Sequence, residues 1–452
     1  MHLRTGFAAK LIMLTAGALG ACTLGASAQI SLSSAVDLAL RNDPRVNMAK
    51  ADVAKARAQL AAARDVYVPN LIADGGYGQG FGVPTSLPII FSMSSQSLVY
   101  NFSQRDNVRA ASAALEAANL ALKESNQQAS EDVVLTYLNL DNAQRRQAAI
   151  AQEYTFAQRL VTIVQQRLDA GQDTRIDFLQ ARRSATQIEL QQLQTEDEIK
   201  TLSDHLTRLI GLPGTPLDAV SSSIPPLPPL RSLTTSQPTS FGIQSAFAAA
   251  KSKQEVAFGI SRYRLRPEVS LNINYSRIDT GQNGYTTYYP TFTNHSENAE
   301  SVYLQIQIPL YDRKHEDDVR AAAADAAHAK FEAQNQQNLF LDGHYKLQHS
   351  TDELSARYEL AQIDLDLSQE QLNAVLAQLS ATSASDDRPQ LSPKDEQNAR
   401  LQQSARTIDL LNAQAQLSQA QVNLMRQTGQ LDDWLKTAVT TSPGVSTSPT
   451  TH

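Results

Sequence analysis

Val108, Ala111, Leu115, Ala118 and Leu122 step along the chain by three and four, the spacing of a heptad seam. The seam lies in a long helical stretch, roughly Arg105–Ala170, and a second such stretch runs over roughly Asp317–Leu379. At ~1.5 Å per residue each is on the order of 100 Å long, too long to wrap one globular core. Amphipathic helices precede them, roughly Leu32–Arg64 and Phe241–Arg264, and Asn42-Asp43-Pro44 places a break inside the first. A last helix in each half stops near Gly211 and Gly429, with glycine as the stop signal. The pattern fits an ordinary coiled coil and equally a wall of helices around a wet interior.

In two places the period changes to two. Val302, Leu304, Ile306, Ile308 and Leu310 alternate with Ser301, Tyr303, Gln305 and Gln307; Val269, Leu271, Ile273 and Tyr275 alternate with Ser270, Asn272 and Asn274. One face is apolar and the other polar and uncharged, which suits lipid outside and water inside. The predicted hairpins have arms Val68–Gly82 and Phe91–Phe102 in the first half, Glu268–Asp279 and Ser301–Tyr311 in the second. Such arms are long enough to cross a bilayer with tilt. Four strands cannot close a barrel, and lipid tolerates no open edge, so a transmembrane reading needs several chains: three would supply twelve strands. The alternative is a pair of soluble hairpins packed on helix ends.

The chain is an internal duplication. Val108-Arg109-Ala110-Ala111 returns as Val319-Arg320-Ala321-Ala322, and the segment from Asp177 to Gly211 matches Asp395 to Gly429 without a gap. The expected division is a targeting segment over 1–28, a first repeat over 29–211 with its hairpin near 67–103, and a linker over 212–240. A second repeat follows over 241–435 with its hairpin near 267–311, then a disordered tail over 436–452. Pro225-Pro226-Leu227-Pro228-Pro229 marks the linker as extended, and Ser, Thr and Pro dominate the tail.

Residues 1–28 carry a short basic start (Arg4, Lys10), an apolar run Leu11–Leu19 and an Ala26-Ser27-Ala28 cleavage signal, so the chain is expected to be exported. Beyond them no stretch approaches the ~18 apolar residues of a transmembrane helix, which leaves a β-barrel as the way to span a membrane. The one cysteine, Cys22, excludes a disulfide framework. Leu19-Gly20-Ala21-Cys22 also reads as a lipoprotein box, so Cys22 is either removed with the signal or acylated. The formal charge is −7, and losing Arg4 and Lys10 makes it −9. An acidic chain without a basic cluster argues against nucleic acid. Its eight histidines are scattered, and no nucleophile elbow, P-loop or dinucleotide fingerprint is present. No metal, cofactor or catalytic residue is expected.

Arg167-Leu168-Asp169-Ala170-Gly171, Asp177 and Ala181-Arg182 follow the order R-x-x-x-G-x5-D-x3-A-R. With Ala39-Leu40-Arg41-Asn42-Asp43-Pro44, Pro69 and Leu209-Ile210-Gly211, they make the chain resemble the TolC family of outer-membrane efflux proteins from about Leu32 to Leu435. The resemblance implies a mainly α fold with a transmembrane β-barrel: a homotrimer with a twelve-stranded barrel, four strands per chain, in outer-membrane lipid and a twelve-helix tunnel in the periplasm. It implies a conduit of a tripartite efflux or type I secretion system, opened by a periplasmic adaptor (a membrane fusion protein) and an energised inner-membrane transporter. The second tip departs from the pattern, with Pro389 where a glycine is expected and a polar run over Ser380–Pro393.

By the same resemblance Asp173, Arg175 and Asp177 in the first tip, and Asp386, Asp387, Arg388 and Asp395 in the second, match the region that closes the tunnel. In a trimer each carboxylate becomes a ring of three that gathers cations. Asp177 and Asp395 fit equally well as helix caps, and the other charges as solvated loop. Gly171 suits a turn with positive φ, and with Thr174 it matches the adaptor-contact tip of the family.

Overall fold

The computed structural model of the chain describes residues 28–76, 89–234, 237–262, 266–279, 296–381 and 392–441. The first half opens with α1 (Leu32–Asn42) and α2 (Pro44–Asp65), separated where Asp43 caps α2 by accepting from the Arg45 amide at 2.7 Å, with Pro44 at the first helical position. The long α3 (Gln104–Asp169) and α4 (Arg175–Ile210) follow. The second half repeats the plan with α6 (Phe241–Arg262), α7 (Arg313–Ala381) and α8 (Pro393–Gln427). In the middle of the packing, α3 lies against α2, α4, α6 and α8. Arg426 of α8 reaches Glu124 at 2.7 Å and Glu131 at 2.6 Å on α3, and Glu124 also accepts from the Gly242 amide at 2.9 Å, so one ion cluster ties three helices. Burial raises the Glu131 pKa against the pull of Arg426.

The core is at mid-length of α3, where Val133, Val134, Tyr137 and Leu140 meet Leu32 and Ala35 of α1, Leu206 and Ile210 of α4, and Leu424 and Met425 of α8. Gly211 ends α4 at φ 76°, and a Cβ there would stand 2.8 Å from the Asn42 Cβ, so two constraints demand glycine. Asn42 in turn donates to the Ile210 carbonyl at 2.8 Å.

Two sequence expectations change here. The proline-rich segment is no bare linker. Its strand β4 (Leu217–Ala219) pairs in parallel with β1 (Ala28–Ile30), and the short α5 (Leu230–Thr234) buries Leu233 in the core. Likewise the expected tail at 436 begins inside a helix, α9 (Leu431–Thr441). Leu431 and Trp434 pack into the core, and the Trp434 indole donates to the Pro226 carbonyl at 3.1 Å. Proline and serine counts hid the widely spaced apolar anchors that hold both segments. The residues beyond 441 lie outside the described residues.

A four-stranded antiparallel sheet, in the order β2 (Ile72–Gly75), β3 (Ile89–Tyr100), β5 (Glu268–Asp279) and β6 (Ser296–Gln307), joins the two hairpins side by side. β6 runs from five residues before its expected start to Gln307, so Ile308, Leu310 and Tyr311 lie past the ladder. The hairpin tips with Pro84, Pro88, Gly281, Asn283 and Gly284 are outside the described residues.

Tyr137 is fully buried, and its hydroxyl accepts from the Val220 amide at 2.7 Å and contacts the Ile30 carbonyl at 2.7 Å and Ser223 Oγ at 2.9 Å. It therefore ties α3 to both strands of the small parallel pair. Tyr137→Phe strands the Val220 N–H and is expected to cost about 1–3 kcal/mol, read as a lower denaturation midpoint with the helical content unchanged.

Candidate functional site

One side of the sheet is apolar next to the helices, and farther along the same face carries Arg277 and Glu300. Register places Val269, Leu271 and Ile273 of β5 opposite Ile306, Leu304 and Val302 of β6, so all six share a face. Leu304 is 62% exposed, Ile306 64% and Val302 69%. β3 adds Phe91 and Met93 to this face, but also Ser95 and Ser97, so the apolar character is strongest at β6. The opposite face carries Ser270, Asn272 and Asn274 beside Gln305, Tyr303 and Ser301, with Asn272 donating to Gln305 at 3.3 Å. A twelve-residue strand at ~3.3 Å per residue is about 40 Å long, enough to cross a hydrocarbon layer when tilted. Among the described residues β2 and β6 are the outer strands of the sheet, each paired on one side only.

At the far end of the long helices lies the first tip. α3 closes in a Schellman turn, with the Gln172 amide on the Arg167 carbonyl at 2.8 Å and Gly171 at φ 72°. Nothing lies within 4 Å of a Cβ built on Gly171, so backbone conformation alone demands glycine there. Thr174 then starts α4 with a capping box: its Oγ1 accepts from the Asp177 amide at 3.2 Å, and Asp177 Oδ2 accepts from the Thr174 amide at 3.0 Å and hydroxyl at 2.6 Å. The second tip repeats this device, with Asp395 accepting from the Ser392 amide at 2.8 Å and hydroxyl at 2.9 Å.

The cap reading of Asp177 and Asp395 is therefore what the structure displays. Asp173 sits in the loop and accepts from Arg167 Nε at 3.1 Å, while Arg175 opens α4 and is exposed. Asp386, Asp387, Arg388, Pro389 and Cys22 lie outside the described residues. A residue that pattern reading missed joins the tips: Lys394 of α8 places its Nζ 3.5 Å from Asp173 and 3.4 Å from Asp177. The signal was present, because Lys394 precedes the repeat-matched Asp395 where the first half has Ile176 before Asp177. Hydrogen bonds from the Thr174 hydroxyl and amide, helped by Lys394, hold the Asp177 carboxyl down at about 2. Asp173 is lowered first by Arg167 and then by Lys394.

No helix among the described residues is long and apolar enough to cross a membrane, and no group of three or more His, Cys, Asp or Glu residues among them is placed to hold a metal. A duplicated bundle of very long helices carrying one shared four-stranded sheet is the fold of outer-membrane channels. It superposes on the Campylobacter jejuni CmeC outer membrane channel with TM-score 0.69 at 15% identity, covering 91% of this chain and 89% of that one. For the outer membrane protein VceC of Vibrio cholerae the values are 0.68 and 16%, covering 88% and 96%. For the open state of the Neisseria gonorrhoeae MtrE outer membrane channel they are 0.67 and 14%, covering 89% of each chain. At such identities the likeness establishes the fold. In sequence, residues 35–212 match the family described as outer membrane efflux protein. By sequence, then, residues 35–212 resemble the outer membrane efflux proteins, and by fold most of the chain resembles outer-membrane channels. It is also 25% identical over 301 residues to Protein CyaE of Bordetella pertussis, a match spanning 63% of this chain and 60% of that protein.

Because the Asp177 pKa is depressed, the link it makes with Lys394 is intact above its ordinary value of 3.8 and is lost as pH falls through about 2. Lys394→Met is expected to uncouple the two tips while leaving both capping boxes formed. Spin labels at Gln172 and Asn398 should then show a broader distance distribution than in the unsubstituted protein; an unchanged distribution assigns the tip contact to apolar packing alone.

Proposed function

We propose that this chain forms a trimeric export duct in the outer membrane, with its helices as a tunnel in the periplasm. The observation that carries the reading is the exposed apolar face on β5 and β6 of a sheet with two open edges. Such a sheet is stable in lipid only when its edges are paired. Three chains would join edge to edge into twelve strands, the apolar face outward and the Ser, Asn and Gln face toward water. More than half of the surface of Phe331, Leu339, Leu360, Ile363 and Leu367 on α7 is exposed, and lateral assembly would cover these side chains.

The duct is a passive conduit with no reaction of its own, for export from the periplasm or the cytoplasm as part of a tripartite efflux or type I secretion system. Its energy comes from an inner-membrane transporter that acts through a periplasmic adaptor at the tips, where Gly171 and Thr174 stand. The carboxylates Asp173, Asp177 and Asp395, with Arg175, line the closing end. Lys394 offsets part of that negative charge and holds the two tips of one chain together, so opening has to break its ion pairs.

The deciding measurement is the native mass and membrane fraction of the expressed protein. A detergent-requiring trimer in the outer membrane is expected; a soluble periplasmic monomer or dimer replaces the duct with an exported coiled-coil, adaptor-like protein. Leu304→Arg puts a charge on the lipid-facing side at a cost of about 2–4 kcal/mol near mid-bilayer and should sharply reduce assembled trimer. Ser301→Arg, on the opposite face, should not. In planar bilayers Asp177→Asn should weaken cation preference, and unaltered selectivity would remove Asp177 from the gate.

A further inference from the structure

Midway between the core and the tips, α3 turns a carboxylate into an apolar seam. Glu153 is 7% exposed and stands one turn from Ile150 and one turn from Ala157. Those two residues form a buried cluster with Ala185 and Ile188 of α4, and Tyr154, Leu401 and Ile408 pack around it. Glu153 Oε2 is shielded from solvent and has no hydrogen-bond partner.

The charged groups around this level offer it no cation. On α4, Glu189 is exposed, and Arg182 and Arg183 point to solvent nearer the tip. On α8, Arg400 is held by Glu396 at 2.8 Å and lies over the Phe156 ring, and Arg406 is paired with Asp409 at 3.1 Å. On α3 itself, Arg146 is bound to Glu198 and Asn412, and Arg159 is exposed. Asp409 is the group whose charge Glu153 feels, and it repels.

We propose that Glu153 is a proton-operated switch in the helical wall: protonated, it lets α3 seat against α4 and α8, and ionised, it loosens that stretch. Burial pushes its carboxyl up to about 7 from an ordinary 4.5, and Asp409 adds to the rise. The folded chain thus holds a proton that the unfolded chain gives up. Stability at this level falls as pH rises from 4.5 to about 7 and stays low above that. The direction is opposite to that of the tip, where acid breaks the ion pairs. The inference needs neither a membrane nor a partner, because the seam lies within one chain.

The test is hydrogen–deuterium exchange of the full-length protein at about pH 5.5 and about pH 8, corrected for the intrinsic rate, where one linked proton shifts local opening by at most about tenfold per pH unit. Peptides covering 147–160 and 183–192 should open more readily at the higher pH, the rise levelling off near 7. Glu153→Gln should remove the difference and keep the acid-state protection at both values. Asp409→Asn, which leaves Glu153 in place, should move this levelling-off to lower pH. Equal protection at both pH values in the unsubstituted protein overturns the proposal, as does the same pH dependence in Glu153→Gln. If Glu153→Gln does not assemble, an unmoved levelling-off in Asp409→Asn overturns it instead.

Discussion

A helix on the order of 100 Å long has far more side to cover than one core can reach. α3 meets that constraint by taking different partners along its length: α2 and α6 toward the sheet, α1 and the ends of α4 and α8 at the core, then α4 and α8 toward the tips. α7 runs just as far with fewer partners in the chain, and its large apolar side chains are left at the surface. The sheet has the same difficulty in another form, since its apolar face has nothing over it and its edge strands are paired on one side. An isolated chain leaves both surfaces uncovered, and the proposed lateral assembly in a bilayer would cover them together.

The two ends of the long helices are built on different chemistry. At the sheet end the residues that matter are uncharged, and their alternation does the sorting. The tips are local hydrogen-bond devices repeated in both halves, joined across the duplication by a lysine that has no counterpart in the first half. Between them, the Glu153 seam places an ionisable group where the pattern calls for an apolar one. Such a break with the local pattern is where a functional or strained position is expected.

Local patterns made much of this fold readable. The period of three and four locates α3 within a residue at each end, Asn42-Asp43-Pro44 marks the break before α2, and the alternation of Val302 to Ile306 identifies a face of β6. The capping boxes were readable for the same reason, because donor and acceptor are three residues apart. What was not legible depends on distance. Lys394 reaches Asp177 across 217 residues of chain, and the repeat alignment marks it as a departure without saying what it touches. Leu217 and Leu233 are single anchors in stretches of proline, serine and threonine, so composition concealed their burial. Glu153 looks like any polar residue of a helix until α4 and α8 are laid beside it.

The core joins residues from near the start of the described chain to residues near its end, Leu32 with Leu431 and Trp434, and it uses β4 from the middle. α1 finds its main partners on α3 and α4, and β1 finds β4, by mid-chain, whereas the contacts with Leu431 and Trp434 join α1 to the far end of the described chain. This last contact closes a loop over nearly the whole described chain, and closure at such sequence separation is slow. Truncation at the C-terminal helix would therefore open the core at the opposite end of the sequence, where α1 is seated.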